Sequence, residues 1–146
     1  LGQFIGAFLG AGFVLFVYSE TFHQYKFDPD LAKVFTTVRN PDVSNLGCFI
    51  DQVCTTALLI IFIMAISDNK NEKLSHEIKA IFCGFVIIAM GCAFNFNCGY
   101  PLNPARDLAP RVFSSFYWGS EPFTRSDFYF WVPVVGPMIG SLIGTL

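Results

Sequence analysis

The residues with the clearest chemical potential lie in one short segment, from Asn97 to Arg111. Asn103 is a preferred N-cap residue, Pro104 suits the first helical position, and an acid such as Asp107 in the first turn complements the helix dipole. These residues predict a helix over residues 103–113, roughly 16 Å long at about 1.5 Å per residue. That length is about half of a bilayer's hydrocarbon core, which is about 30 Å thick.

The stretch just before this half-helix cannot be helical throughout, because it contains Gly99 and Pro101. Its carbonyl groups therefore lack helical partners. In a membrane, such backbone survives only where it is buried in protein or lines a water-filled cavity. The sequence thus predicts an irregular segment that is enclosed by protein or faces a polar cavity.

The meaning of Arg106, inside the half-helix, depends on its surroundings. In a soluble protein the segment would be an ordinary helix start and Arg106 a surface charge. Between membrane-spanning helices an arginine is costly in lipid, and by default it marks a pore or a binding site. The elements on either side of the segment decide between the two interpretations.

The composition is typical of a chain whose solvent is largely lipid. The 146 residues are 53% hydrophobic and 17% aromatic, and only 14% are charged, against roughly 25% in a soluble domain. A formal net charge of −2 offers no cationic field, so no nucleic-acid partner is expected. The five cysteines show no C-x-x-C spacing, and we expect neither a disulfide framework nor a metal site nor any other cofactor.

Four apolar segments are long enough, or nearly so, to span a membrane, and they predict helices near residues 1–18, 46–66, 80–96 and 129–146. The fold class is therefore all-α membrane protein, as a single domain over residues 1–146. The sequence is apolar from its first residue, without Met or a signal peptide. We expect the natural chain to begin upstream of it.

The connecting segments differ in charge. Residues 19–45 form a loop of external type that carries several acids, whereas residues 68–79 place three lysines in the shortest connection. The positive-inside rule favours a cytoplasmic location for the short loop. His23 and His76 lie in or beside these loops and are interpreted as solvated polar residues.

A glycine spacing occurs twice, near the two ends of the chain. Both copies have glycine at i, i+4 and i+8: Gly2, Gly6 and Gly10 in the first, and Gly136, Gly140 and Gly144 in the second. Small residues at this spacing let membrane helices approach until their backbones touch, so tight packing alone explains them. The alternative is that the two helices are equivalent members of a duplicated unit, as in transporter repeats.

The string Asn103-Pro104-Ala105-Arg106-Asp107 closely resembles the second pore loop of the aquaporin family. In that family Asn-Pro-Ala-Arg is followed by Asp in the glycerol-conducting branch and by Ser in many water-selective members, so Asp107 selects the glycerol branch. Almost the whole chain shares the resemblance, with residues 2–25, 48–71 and 132–146 similar to the third, fourth and sixth helices. The resemblance implies an incomplete aquaporin-like fold that lacks the first two helices and the first half-helix.

The resemblance implies pore roles for the half-helix and the stretch before it. In the family, two half-helices meet at mid-membrane and each directs the amide of its Asn into the pore, which here implies Asn103 followed by Pro104 and Ala105. The positive end of the half-helix disfavours cations and protons. Permeant hydroxyls would be accepted by the backbone carbonyls of Cys98, Gly99, Tyr100 and Pro101.

The family's narrow selectivity filter corresponds to Arg106, Tyr100 and Gly91. The guanidinium of Arg106 offers several donors in a fixed fork, and Tyr100 supplies an apolar wall for a carbon chain. Gly91 leaves space where water-selective members usually place His. A wider filter of this kind suits a polyol.

Two acids are expected to support the pore loop. Asp51 lies where the family has an acid that accepts hydrogen bonds from the loop backbone, and Asp107 is expected to order the loop near the filter. The thiol of Cys98 would be open to a mercurial from the external mouth if it faces the pore.

The resemblance implies a passive channel for glycerol, water, urea and other small neutral solutes that excludes ions and protons. It further implies a multi-pass protein of the plasma membrane that is a homotetramer when full length. The alternatives are a strictly water-selective channel and a non-conducting truncated isoform. An enzyme is not expected, because no nucleophile with a base and no phosphate-binding loop is evident. With only one pore motif, the 146 residues alone are not expected to conduct.

Overall fold

Helices make up most of the chain. The computed structural model describes residues 1–25, 28–68, 70–71 and 73–146, and no strand occurs among them. Lys26, Phe27, Asn69 and Glu72 belong to the two predicted loops and lie outside the described residues. The all-α fold class is confirmed for the described part of the chain.

The first apolar segment forms helix α1 (Gly2–Val17), and a short helix α2 (Ser19–Gln24) follows it directly. The loop of external type therefore begins with an unpredicted helical turn. It also contains a 3-10 helix over Pro29–Val34. The side chain of Asp28 starts this turn by accepting a hydrogen bond from the backbone N–H of Asp30 at 2.8 Å.

Two long apolar helices form the middle of the chain: α3 (Asn45–Ser67) and α4 (His76–Cys98), each of 23 residues. At about 1.5 Å per residue each is roughly 34 Å long, enough to cross a bilayer core. Helix α4 begins four residues before the predicted start because the Ser75 side chain caps it, accepting from the N–H of Ile78 at 3.4 Å. It ends at Gly99, whose φ of 73° is the left-handed conformation typical of a helix stop.

Helix α5 (Pro104–Trp118) starts where the half-helix was predicted to start. Its length differs from the prediction, which placed the end near Phe113. The next residue that favours leaving a helix is Gly119, with a φ of 59°. The helix consequently has 15 residues and is about 22 Å long.

The last apolar segment is divided near its start. Instead of one helix over 129–146, the chain forms α6 (Glu121–Phe128), a 3-10 turn over Tyr129–Trp131 and α7 (Val132–Gly144). The stretch Glu121–Gly144 is still long and apolar enough to cross a membrane. Together with α3 and α4 it gives three such segments in the part of the chain that the structure describes.

The junction inside this last segment is held by two side chains from elsewhere in the chain. Ser126, Asp127 and Phe128 have φ values of 56°, 55° and 59°, which non-glycine residues rarely adopt. Arg39 donates to the Asp127 carboxylate at 2.5 Å, and Asn45 donates to the Asp127 carbonyl at 2.8 Å. The left-handed turn is thus fixed to the segment that leads into α3.

Helix α7 packs against α3 with direct backbone contact. A Cβ atom added to Gly140 would lie 2.4 Å from the carbonyl oxygen of Val53, and one added to Gly144 would lie 2.5 Å from that of Ala57. Gly136 is similarly close to α3. The second glycine stripe therefore acts as small-residue packing between membrane helices.

Helix α1 packs against α5 instead, largely through aromatic rings. The rings of Phe8 and Phe113 meet edge to face with centroids 5.3 Å apart. Phe22 and Phe35 stack at 5.6 Å, and both contact Trp118. We call Phe22, Phe35, Phe113 and Trp118 the aromatic cluster; it joins α1, α2 and the loop before α3 to α5.

Candidate functional site

The segment between α4 and α5 has an unusual backbone. Gly99, Tyr100 and Leu102 have φ values of 73°, 40° and 55°. A left-handed conformation costs a non-glycine residue about 1–2 kcal/mol, so other contacts must hold Tyr100 and Leu102 in place. Such strain is concentrated at functional sites when the surrounding structure enforces it.

The contact that holds this loop comes from Gln52 in α3. Its side chain is fully buried, and its Oε1 accepts a hydrogen bond from the backbone N–H of Leu102 at 3.0 Å. Its Nε2 donates to Asp51 at 3.0 Å and to the Cys98 sulfur at 3.2 Å. Gln52 therefore links the loop to its own helix α3 and to the end of α4.

This arrangement corrects the expectation for Asp51, which was predicted to accept from the loop backbone. Among the described residues Asp51 instead accepts from side chains, namely Asn97 Nδ2 at 3.1 Å and the Cys98 thiol at 3.3 Å. The physical reason is reach: Asp51 faces the end of α4, whereas its neighbour Gln52 faces the loop. Asp51 supports the loop only through these partners.

Two of the four predicted pore carbonyls are already engaged within the protein. The Cys98 carbonyl accepts from the Tyr129 hydroxyl at 3.3 Å, and the Pro101 carbonyl accepts from the N–H of Asn103 at 2.6 Å. The carbonyls of Gly99 and Tyr100 receive no hydrogen bond from any described residue. They remain the available acceptors of this loop.

The side chain of Asn103 has a divided role. Its Oδ1 accepts from the N–H of Ala105 at 2.9 Å and so caps α5. This bond turns the amide Nδ2 away from the helix, where it donates to Gln3 of α1 at 3.4 Å. Pro104 fills the first helical position and Ala105 is buried, so the motif forms a fixed helix start with an outward-pointing donor.

Arg106 is exposed, and no hydrogen bond or ion pair joins its guanidinium to another described residue. It lines two grooves of about 710 Å³ and 510 Å³. Both grooves are also lined by Gln3 and Asn103. The unpaired guanidinium of Arg106 and the Asn103 amide, which donates to Gln3, thus line both grooves.

Tyr100 and Gly91 are direct neighbours. A Cβ atom built on Gly91 would lie 3.1 Å from Cζ of the Tyr100 ring, closer than side chains normally approach. The space that glycine leaves in α4 is therefore filled by this ring. Tyr100 lines the smaller groove together with Arg106, and Gly91 lies behind the Tyr100 ring.

Asp107 is fully buried, and its carboxylate accepts three hydrogen bonds. Its Oδ2 accepts from the N–H of Thr37 at 2.8 Å and from the Thr37 hydroxyl at 2.5 Å. Its Oδ1 accepts from Nε of Arg111 at 2.8 Å and forms an ion pair with Nη2 of Arg111, also at 2.8 Å. The acid ties the loop before α3 to the first turn of α5. It was expected to order the loop near the filter, but its partners among the described residues are Thr37 and Arg111, which lie outside that loop.

Sequence reasoning missed Arg111, which is only 2% exposed. Besides Asp107 it donates to the carbonyls of Thr37, at 2.9 Å, and Pro122. A charge buried in this way is stable only when paired and hydrogen-bonded. The available signal was the spacing of four residues from Asp107, which places the two on one helix face.

Gln52 and Tyr129 were also missed. The available signal for Gln52 was its polar side chain inside an apolar helix. Tyr129 lies in a stretch rich in aromatic residues, where nothing in the sequence distinguishes it. In the structure its ring is 1% exposed and its hydroxyl holds the Cys98 carbonyl.

The condition under which a mercurial would reach the Cys98 thiol, a side chain that faces the pore, is not met in the structure. Cys98 is 1% exposed, and its sulfur lies between Asp51 and Gln52. The carbonyl of Gly99 rather than the thiol of Cys98 is free on this side of the loop. The burial arises because α4 ends at Cys98 while still packed against α3.

A set of ion pairs joins the loop before α3 to α6, and one of its members, Lys33, also lines the larger groove. Asp30 pairs with Lys33 at 2.8 Å and with Arg125 at 3.2 Å, and Arg125 also pairs with Glu121. The hydrogen bonds from Lys33 and then Arg125 lower the pKa of Asp30 below its ordinary value. Because Asp30 is exposed, these pairs stabilise the surface only modestly.

The helix arrangement and the loop between α4 and α5 define an aquaporin-type protein, and sequence comparison agrees. A family model described as Major intrinsic protein matches residues 1–146, the whole chain. The chain therefore belongs to the major intrinsic protein family. With its apolar helices, this makes it an integral, multi-pass membrane protein, and the resemblance inferred from Asn103 to Asp107 is confirmed.

Individual relatives are named as aquaporins and aquaglyceroporins. The chain is 37% identical to aquaporin-9 of Rattus norvegicus, over 99% of this chain and 52% of that protein. It is 35% identical to aquaporin-10 of Homo sapiens, over 99% and 51%. The chain spans about half the length of these curated relatives.

A solved structure shows the same fold. The X-ray structure of the aquaglyceroporin from Plasmodium falciparum superposes with a TM-score of 0.88 at 33% sequence identity. The match covers 97% of this chain and 57% of the other. The prediction of an aquaporin-like fold is thereby confirmed.

Proposed function

We propose that this chain forms one wall of a passive channel for glycerol, water and other small neutral solutes, among them urea. One observation carries the proposal. The unpaired guanidinium of Arg106 and the Tyr100 ring line one groove where α5 begins, and the Gly99 and Tyr100 carbonyls, which accept no hydrogen bond from a described residue, lie in the loop just before it. The names of the relatives, aquaporin and aquaglyceroporin, support the same reading.

The chemistry of this wall suits a polyol. A hydroxyl that leaves water can donate to the carbonyls of Gly99 or Tyr100 and accept from Arg106, so it exchanges one set of partners for another. The carbon chain can lie against the Tyr100 ring, which is apolar on its face. A molecule with alternating hydroxyl and CH groups uses both surfaces at once.

The same geometry disfavours cations. The N-terminal end of α5 carries roughly half a positive charge, and Arg106 adds a full charge three residues after the cap. Both act at the point where the grooves meet. We propose that ions and protons are excluded here for this electrostatic reason.

A closed route needs a further wall, because both grooves are open rather than enclosed. We propose that the complete protein supplies this wall and that the 146 residues alone do not conduct. The plasma membrane as location and a homotetramer as assembly belong to the same proposal. We propose transport alone, with no catalysed reaction.

The test replaces Arg106 in the full-length protein, reconstituted in liposomes. Arg106→Ala should change the ratio of glycerol to water permeability and raise proton leak, because the filter loses its donors and its charge. Stopped-flow light scattering and an enclosed pH dye measure both.

Arg125→Ala is the matched control, since it removes an arginine that lies outside both grooves. Its fluxes should equal those of the wild type. Unchanged glycerol, water and proton fluxes in Arg106→Ala, at equal protein content, would refute the proposed filter.

A further inference from the structure

Asp51 and Gln52 are adjacent polar residues inside the apolar helix α3. Neither belongs to the described residues that line the two grooves, and Gln52 is 0% exposed. Any influence of this pair on a solute must therefore act through the loop between α4 and α5. The mechanism proposed above uses neither side chain.

The Gln52 amide is satisfied in only one of its two orientations. The backbone N–H of Leu102 is a donor only, and it meets Oε1 at 3.0 Å. The Asp51 carboxylate is the acceptor in each of its hydrogen bonds to described residues, one of them from Gln52 Nε2 at 3.0 Å. A rotation of the amide by half a turn would set donor against donor at Leu102 and acceptor against acceptor at Asp51. Asp51 therefore fixes which way the Gln52 amide points.

Further bonds anchor this pair to the last turn of α4. Asp51 also accepts from Asn97 Nδ2 at 3.1 Å and from the Cys98 thiol at 3.3 Å. Gln52 Nε2 also donates to the Cys98 sulfur at 3.2 Å. Both side chains are thus held between two helices before they reach the loop.

The bond from Leu102 to Gln52 acts on a strained turn. Leu102 has a φ of 55°, and the N–H of Asn103 donates to the carbonyl of Pro101 at 2.6 Å. A hydrogen bond that spans two positions around a residue with positive φ forms a γ-turn of the rare, strained kind. Such strain persists only where the surrounding contacts enforce it, and Gln52 supplies one of these contacts.

The turn is held at both edges of one peptide plane. The carbonyl of Pro101 and the N–H of Leu102 belong to the same peptide group; the first accepts from the start of α5 and the second donates to Gln52. This plane directly follows Tyr100 and precedes α5, so it sets how the Tyr100 ring stands relative to Arg106. A glycerol molecule that contacts both side chains needs this spacing to be fixed, whereas a water molecule can contact one at a time.

We propose that Asp51 and Gln52 form one positioning unit for the candidate filter. Asp51 fixes the orientation of the Gln52 amide, and the amide oxygen holds the Leu102 turn that lies between Tyr100 and Arg106. The unit sets the preference for glycerol over water without touching either solute. Its effect on flux rests on the proposed function, whereas its effect on the loop does not.

An exchange of the two side-chain types tests the unit. In the double variant Asp51→Asn/Gln52→Glu, the new amide at position 51 can donate to the new carboxylate at position 52, whose other oxygen accepts from Leu102. The wild-type bonds return with donor and acceptor exchanged and with the same net charge. Asp51→Asn alone removes the partner that only accepts, so the Gln52 amide can rotate. Gln52→Glu alone sets two carboxylates side by side.

Hydrogen–deuterium exchange of the Leu102 amide measures the effect on the loop in the full-length protein in detergent, with overlapping peptides read by mass spectrometry. In Asp51→Asn this amide should exchange about fivefold faster than in the wild type, the factor that one neutral hydrogen bond typically contributes to an equilibrium. The double variant should return to the wild-type rate. Equal rates in the wild type and Asp51→Asn, or a double variant that exchanges as fast as Asp51→Asn, would overturn the positioning unit.

The ratio of glycerol to water permeability in proteoliposomes measures the effect on the filter. This ratio does not depend on how much folded protein a variant yields, so a purely structural role leaves it unchanged. It should fall by about fivefold in Asp51→Asn and in Gln52→Glu, again the factor of one hydrogen bond, and recover in the double variant. If Gln52→Glu does not fold, the comparison of Asp51→Asn with the double variant decides.

The double variant Asp42→Asn/Gln24→Glu is the matched control, because it makes the same exchange at two exposed positions outside the loop and both grooves. It should match the wild type in both measurements. Faster exchange of the Leu102 amide in Asp51→Asn with an unchanged permeability ratio would overturn the role in selectivity alone. Wild-type liposomes without solute flux would overturn the proposed function, while amide exchange would still decide on the positioning unit.

Discussion

Helices α7 and α1 carry glycines at the same spacing but meet different surroundings. In α7 a Cβ on Gly140 would lie 2.4 Å from the backbone of α3, whereas a Cβ added to Gly2, Gly6 or Gly10 of α1 would meet no other described part of the chain within 4 Å. The contact of α1 with α5 uses Phe8 on another face of the helix. The spacing therefore encodes the capacity for close approach, and the partner that uses it must be found in the structure.

The two sides of the molecule are accordingly held by different forces. Helices α3 and α7 are held together by close packing at the glycine stripe of α7, where no charged side chains pair among the described residues. The α1 and α5 side relies on the aromatic cluster and on the buried pair of Asp107 and Arg111, which fixes Thr37. Each side predicts its own pattern of sensitivity to substitution.

The largest effect is expected on the charged side. Arg111→Met should lower the free energy of unfolding by about 3–5 kcal/mol, because it leaves the Asp107 carboxylate buried without its partner. Thermal unfolding of the detergent-purified protein measures the change. The double variant Arg111→Met/Asp107→Asn should recover part of the loss, since it removes the unpaired charge. A single variant as stable as the wild type would contradict the buried pair.

A smaller effect is expected on the packed side. Gly140→Ala should cost about 1–3 kcal/mol, since its methyl group would overlap the α3 backbone. Gly6→Ala is the matched control and should be tolerated, because no described atom is near it. The same unfolding assay compares the two. Equal losses of unfolding free energy in the two variants would show that another helix covers α1 in the full-length protein. A Gly140→Ala variant as stable as the wild type would contradict the close packing of α7 on α3.

The smallest effect is expected at the exposed ion pairs. The partners of Asp30 hold its folded-state pKa below the ordinary value of 3.8, so its contribution is present above that value and is lost as the pH falls through the lower folded pKa. Asp30→Asn should therefore change stability only slightly near neutral pH. It should flatten the acid side of a stability profile below pH 3.8, and an unchanged acid limb would contradict the pairing.

Much of this arrangement could be predicted from sequence because it depends on local chemistry. Asn103, Pro104 and Asp107 specify a helix start, and apolar length specifies the spans. The roles of Gln52 and Asp51 could not be assigned correctly, because adjacent residues on a helix point in different directions and only the packing of α4 decides which reaches the loop. The burial of Cys98 and Arg111 likewise depends on contacts between elements distant in sequence.

The most direct test of the central claim measures wild-type fluxes in one preparation of the full-length protein. Liposomes that contain the protein and a pH dye are mixed rapidly with a glycerol gradient and, separately, with a proton gradient. Glycerol and water should enter these liposomes much faster than they enter empty liposomes, whereas protons should enter both at the same rate. A glycerol entry rate no higher than in empty liposomes, or a proton entry rate that rises together with it, would contradict a glycerol channel that excludes protons.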